Sequence, residues 1–153
     1  MFITDIVRIN NIEAEVVKIH NIQTKQNIIS PEVQVYLSTV KYSKEYNVPT
    51  KYALRMLYHE STYRGPIDKD YNANLISNQN ALGAAQVMLS TANSMSDSVL
   101  TYDQVLYDID LNIKVSMKYL STLYAKYHRW DIAFGVYNTG HKVVNDYAKS
   151  ITK

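Results

Sequence analysis

The sequence predicts a mainly α-helical domain, and three features carry that prediction. Ser30-Pro31-Glu32 is a helix start, with Ser at the cap and Pro in the first helical turn. Asn47-Val48-Pro49-Thr50 breaks the run and restarts it. From 109 to 127, Ile109, Ile113, Ser116, Leu120, Leu123 and Tyr127 recur at three- and four-residue spacing, the signature of one helical face.

The elements follow in order. Residues 1 to about 30 form an N-terminal extension rich in Ile and Val, and this β-branched content leans toward extended structure. The extension is a candidate arm for docking on the domain or on a partner. The domain proper is expected over 31–153. Its first helix covers about 31–46, with Val35, Leu37, Val40 and Tyr46 apolar. Thr50 is positioned to cap a second helix over 51–61. Apolar side chains nearly surround that helix, as expected of a buried central one. Residues 64–80, dense in Asn, Asp and Ser, read as a long loop, a length that usually signals function. Ser90 is the expected cap of a short helix holding Thr91, Ala92 and Met95. Asp108 is the expected cap of the 109–127 helix. A helix with Ile132, Ala133, Val136 and Tyr137 ends at Gly140, and a last one is expected from His141 to Ile151.

The 153 residues suffice for one self-supporting core. No cysteine is present, which excludes disulfides and thiolate metal sites. A net charge of +2 is too mild to argue for nucleic acid. No apolar run approaches a bilayer's thickness. The start, Met1-Phe2-Ile3-Thr4-Asp5-Ile6-Val7-Arg8, places charges where the apolar stretch of a secretion signal would sit, so none is expected. Fourteen tyrosines accompany enrichment in Asn, Ile and Lys, as AT-rich coding would produce; they also suit a sugar cleft.

The chemistry centres on His59-Glu60-Ser61-Thr62-Tyr63. Ala53, Leu57 and Glu60 share one helical face. A carboxyl on the apolar stripe of a buried helix loses hydration and keeps its proton to higher pH. Such a group can protonate a leaving oxygen near neutrality. The bland alternative is an ion pair with Arg64, four residues on. The motif is not the zinc-protease His-Glu-x-x-His, because Tyr63 stands at the second His. His20, His59, His128 and His141 show no ligand spacing, so neither metal nor cofactor is expected. Asp68-Lys69-Asp70 lacks the remaining ligands of a calcium loop.

Further motifs follow Glu60-Ser61 in a fixed order. Ser77-Asn78-Gln79-Asn80-Ala81-Leu82-Gly83-Ala84-Ala85-Gln86 resembles the Ser-x-x-Gly-Ala-x-Gly-Leu-Met-Gln stretch of soluble-type lytic transglycosylases and goose-type lysozymes. Val87-Met88-Leu89-Ser90-Thr91-Ala92 resembles their Ile-Met-Pro-x-Thr-Ala. Asn112-Ile113, Tyr119-Leu120 and Leu123 resemble their Asn-Ile, Tyr-Leu and Leu helix, with Ser116 where Gly is usual. Ala133 to Gly140 resembles Ala-x-x-Ala-Tyr-Asn-x-Gly. The departures are Asn80 for Gly, Ala84 for Leu, Ala85 for Met, Leu89 for Pro and Val136 for Ala.

The resemblance implies a lysozyme-like helical domain with a small β element. Its cleft would lie between the Glu60 helix, the 64–90 segment and the Tyr137 helix. It implies cleavage of peptidoglycan glycan strands between N-acetylmuramic acid and N-acetylglucosamine, with a 1,6-anhydro product and Glu60 as general acid and base. Contacts to substrate are implied for Ser61, Ser77, Ala85, Gln86, Tyr119 and Tyr137. Tyr137 would point its hydroxyl at the catalytic carboxyl, and Gln86 would hold an acetamido group or orient Glu60. Ala85, in place of Met, would lose a contact or widen the pocket. A wall-cutting enzyme without a secretion signal is expected to travel in a virion or through a holin, which points to a bacteriophage and makes other virion or channel proteins the expected partners of residues 1–30. Two alternatives stand beside this reading. A hydrolase would take Asp68 or Asp70 as its water-activating base. A non-catalytic module of a virion or secretion channel would only bind glycan.

Overall fold

The computed structural model describes residues 10–18 and 29–153. The chain divides into two units, 1–30 and 31–153. Within the first, residues 10–18 are helical rather than extended. Glu13, Ala14, Glu15 and Lys18 are good helix formers, and each β-branched neighbour costs only a few tenths of a kcal/mol in a helix. The remaining expectations for the extension fall outside the described residues.

The second unit is mainly helical. It comprises α1 (Pro31–Glu45), α2 (Thr50–Ser61), a hairpin of β1 (Ala81–Leu82) and β2 (Val87–Met88), α3 (Leu89–Ser94), α4 (Tyr102–Tyr107), α5 (Ile109–Tyr127), α6 (Trp130–Thr139) and α7 (Asp146–Thr152). The hairpin is antiparallel, pairing Ala81 with Met88 and Leu82 with Val87.

Helix α5 is the spine. Its buried face carries Ile113, Met117 and Leu120, with Asn112 and Ser116 among them. It packs on α1 along one side and on α6 along another. Two polar ties fix α1 to it: Tyr42 donates to Asp110 Oδ2 at 2.5 Å, and Ser38 to Oδ1 at 2.9 Å. The main core gathers Val35, Met56, Leu57, Ile113, Phe134 and Ile151. Asp108 caps α5 by accepting from the Leu111 N–H at 3.0 Å, as expected.

Other boundaries differ for identifiable reasons. Pro49, not Thr50, occupies the cap position of α2, and the Thr50 hydroxyl pairs with Ser43 at 2.7 Å. Helix α2 is not surrounded by core: Ala53, Met56 and Leu57 are buried, but Tyr58 is 53% exposed. Ser90 caps nothing, because α3 begins at Leu89, directly after the paired strand residue Met88. The last helix starts only at Asp146, where Asn145 accepts from the Ala148 N–H at 3.0 Å. The preceding segment packs flat on α6: a Cβ at Gly135 would stand 1.7 Å from the Val143 carbonyl. Helix α4 was not anticipated, although Thr101 and Gln104 form a complete capping box that announces it. The 64–80 segment is irregular, as expected, but its end is tied down. Gly83 N–H donates to Leu75 at 2.8 Å and Ser77 N–H to Ala81 at 3.0 Å.

Candidate active site

Helix α2 delivers Glu60 in its last turn. The helix closes on Thr62, which adopts φ 57° in the left-handed region, while Thr62 and Tyr63 return N–H groups to Tyr58 and Leu57. A β-branched residue in that region is uncommon and stores local strain next to Glu60. Ser61 points the other way, into the core, at 3% exposure. Its hydroxyl lies 2.7 Å from the Ala84 carbonyl and 2.9 Å from the Tyr71 hydroxyl, pinning the helix end to the hairpin turn.

That turn, Gly83 to Gln86, is built around Asn112 of α5. The Asn112 amide donates to Leu82 at 2.8 Å and Val105 at 2.9 Å, and its oxygen accepts from Ala85 N–H at 3.0 Å. Gly83 has φ +73°, and a Cβ there would meet Asn112 Nδ2 at 2.4 Å, so only glycine fits. Gln86 spends both amide hydrogens on backbone, on Leu75 at 3.1 Å and Gly83 at 2.9 Å. Its amide oxygen is left for the cleft, and its bonds run to the loop rather than to Glu60.

The resulting cleft holds about 430 Å³, within the range of ligand sites. Glu60 lines it with Ser77, Gln86, Tyr119 and Tyr137. Four of the residues expected to contact substrate therefore meet around the carboxyl. Two do not. Ser61 is buried behind the cleft as a support. Ala85 is fully buried in the core and presents only backbone: its carbonyl accepts from the Tyr137 hydroxyl at 2.7 Å. Neither a lost side-chain contact nor a wider pocket follows from Ala85, because this position faces inward. Ser77 receives the N–H groups of Gln79 and Ala81, at 3.2 and 3.0 Å, and so shapes the wall as well as lining it. Tyr119 packs against Tyr137 with ring centres 5.7 Å apart.

The hydrogen-bond partner of Glu60 is Tyr147, a residue that the sequence reading passed over. The Tyr147 hydroxyl, on α7, donates to Glu60 Oε1. Tyr137, the expected partner, is committed to Ala85. Burial pushes the Tyr147 hydroxyl far above the ordinary tyrosine value, and the Glu60 charge pushes it further, so it remains a donor. No local signal marks Tyr147, since 87 residues separate it from Glu60. It is held from below by His59, whose ring centre lies 5.5 Å away and whose Nε2 is 2.8 Å from the Ser150 hydroxyl. Arg55 of α2 caps the end of α7 by donating to Ile151 at 2.9 Å and Lys153 at 2.7 Å. The helices that carry acid and donor are thereby bolted together.

Glu60 forms no ion pair among the described residues, which removes the pairing with Arg64. Burial raises its pKa from 4.5 to about 7, against the opposing pull of the Tyr147 bond. It is the one carboxylate among the described residues lining the cleft. Asp68 and Asp70 line a separate hollow with Thr62, Tyr71 and Asn72.

A buried carboxyl that exchanges its proton near neutrality, set in a neutral polar cleft, is the arrangement acid catalysis of bond cleavage requires. The profile of the family described as "Transglycosylase SLT domain" matches residues 38–153. The chain belongs to this family. No curated protein matches it. Membership carries peptidoglycan as substrate class, and glycosidic-bond cleavage of the lytic transglycosylase type as activity, at the level of the family. Among the described residues no helix is long and apolar enough to cross a membrane.

This SLT domain absorbs its departures from the family motif at positions where the physics allows them. Asn80 replaces Gly at φ +60°, and Asn is the residue that most readily enters that region after Gly. Leu89 replaces Pro at the first position of α3, where a helix tolerates but does not need Pro. Ser116 replaces Gly but folds its hydroxyl back onto Asn112 at 2.7 Å.

Proposed function

We propose that this SLT domain is a lytic transglycosylase that cuts the bond between N-acetylmuramic acid and N-acetylglucosamine, with Glu60 as both acid and base. The observation that carries the reading is the isolation of Glu60 in its cleft, near-neutral in pKa and, among the described residues that line the cleft, without a cation or second carboxylate beside it. Because Oε1 accepts from Tyr147, the acidic proton resides on Oε2. Glu60 gives that proton to the bridging oxygen as the bond from the muramyl C1 breaks. The acetamido oxygen of the same sugar stabilises the electron-poor C1. Glu60, now ionised, takes the proton of the sugar's own 6-hydroxyl, and O6 closes on C1 to form the 1,6-anhydro ring. The proton inventory of Glu60 is restored, and no water is consumed.

A hydrolase of the inverting kind needs a second carboxylate facing the cleft to activate water. The separate hollow of Asp68 and Asp70 favours the intramolecular route instead. Gln86 enters as an acceptor for an acetamido N–H, since its own donors are spent.

Mass spectrometry of soluble products from purified peptidoglycan tests the proposal, with Glu60→Gln in parallel. Products ending in 1,6-anhydro-muramyl groups, lost in the variant, are the expected result. Reducing ends would assign a hydrolase. Sedimentation of both forms with intact, uncut sacculi would assign a binding module.

A further inference from the structure

Among the described residues, none that lines the cleft around Glu60 is a cation. It suits neutral sugars, yet the muramyl residues of a wall glycan carry peptides whose free carboxylates are anionic. A surface that answers that charge adjoins the cleft along α5.

Asn112, Ser116, Tyr119, Leu123 and Tyr127 follow one another at helical spacing on the inner face of α5. Asn112 holds the hairpin turn and Tyr119 lines the cleft. Tyr127 lies two turns beyond, about 12 Å along the axis at the standard rise per residue. Leu123 and Val136 are buried between them, and Tyr119, Tyr127 and Tyr137 pack on that one cluster. Lys126 Nζ stands 5.2 Å from the centre of the Tyr127 ring, and Lys142 Nζ 5.8 Å. Lys142 is brought there by the close packing of Val143 on Gly135, two residues past the cleft-lining Gly140. Both lysines are exposed, and neither forms an ion pair among the described residues. Burial pushes the Tyr119 hydroxyl above its ordinary value, Tyr127 adds to the rise, and Lys126 opposes it.

We propose that Tyr127, Lys126 and Lys142 form a subsite for the carboxylate-bearing peptide of the glycan, at the Tyr119 end of the Glu60 cleft. The proposal rests on the glycan-cleaving function above and adds the part of the substrate that lies outside the sugar chain. An extended chain gains about 3.4 Å per residue, so a peptide of about four residues spans from Tyr119 to Tyr127. An ammonium group held over a ring keeps N–H donors free for a carboxylate, and the ring supplies apolar contact to the peptide's side chains.

The test compares glycan strands bearing their peptides with the same strands stripped by an amidase, using the wild-type protein, Lys126→Ser/Lys142→Ser and the conservative Lys126→Arg/Lys142→Arg. For the Ser pair, KM on peptide-bearing strands should rise about fivefold at low salt, the scale expected of two exposed charges. Turnover on stripped strands should not change, and the Arg pair should restore KM. Equal effects of the Ser pair on both substrates, or none on either, would overturn the subsite. Direct binding of both strand types to Glu60→Gln, alone and with the Ser pair, separates this idea from the catalytic one. If wild-type protein cuts neither substrate, the catalytic reading fails alone, and binding decides the subsite. Tighter binding of peptide-bearing strands that disappears in the Ser pair upholds it; equal affinity for both strands sinks it.

Discussion

Tyr147 on α7 donates its hydroxyl hydrogen bond to Oε1 of Glu60 on α2, and this bond opposes the rise in pKa that burial imposes on the carboxyl. Two effects of opposite sign therefore set the proton affinity of one group. Burial wins, leaving Glu60 at about 7 rather than 4.5. The donor also selects which carboxyl oxygen keeps the proton.

Tyr147→Phe removes the opposing bond, so Glu60 should hold its proton to still higher pH. The alkaline limb of kcat/KM on solubilised glycan strands should shift upward, by up to about one pH unit. Loss of orientation should lower the plateau rate by about tenfold. A rate loss with an unmoved alkaline limb would assign Tyr147 a packing role only.

The wild-type pH profile follows from the same group. Glu60 must start protonated, so kcat/KM should fall as pH rises through about 7, approaching tenfold per unit above it. Glu60→Gln should cost about 10²- to 10⁴-fold in rate, the usual worth of a general acid. A profile flat to pH 9 would remove Glu60 from the acid's role.

Stability should fall with activity as pH rises, through the same group. The folded state favours protonated Glu60, with a pKa of about 7 against 4.5 for the unfolded reference. The associated stability is fully present below pH 4.5 and is lost as pH rises through about 7. The gap corresponds to about 3 kcal/mol at most. Glu60→Gln keeps an acceptor for Tyr147 but cannot ionise. It should match the wild type in thermal or urea unfolding at pH 4 and exceed it at pH 9. Equal stabilities at pH 9 would show that the folded pKa is not raised.

Asn112 tests the scaffold rather than the chemistry. Its side chain serves Leu82, Val105 and Ala85, all in the buried hairpin region. Asn112→Ala strands these backbone groups and opens space beside Gly83, which should cost about 2–4 kcal/mol in urea unfolding. A loss below about 0.5 kcal/mol would mean that water or a shifted turn replaces the amide.

The helical class, the spine from Asp108 to Tyr127 and the position of Glu60 were legible in the residues, because each depends on spacing and caps within one or two turns. The capping box at Thr101 was equally local and simply passed over. The last helix was misjudged because its start depends on Val143 packing against Gly135, a contact that no periodicity records.

The sequence by itself determined which residues could carry acid chemistry and on which helices they stand, since side-chain type and helical period are local properties. Only the tertiary structure decided their relations. It turned Ser61 and Ala85 away from the cleft, put Asp68 and Asp70 in another hollow, and brought Tyr147 to Glu60 across 87 residues. The proton affinity of Glu60 belongs to that second category. Desolvation depends on everything packed around a carboxyl, and the elements around this one come from both ends of the domain.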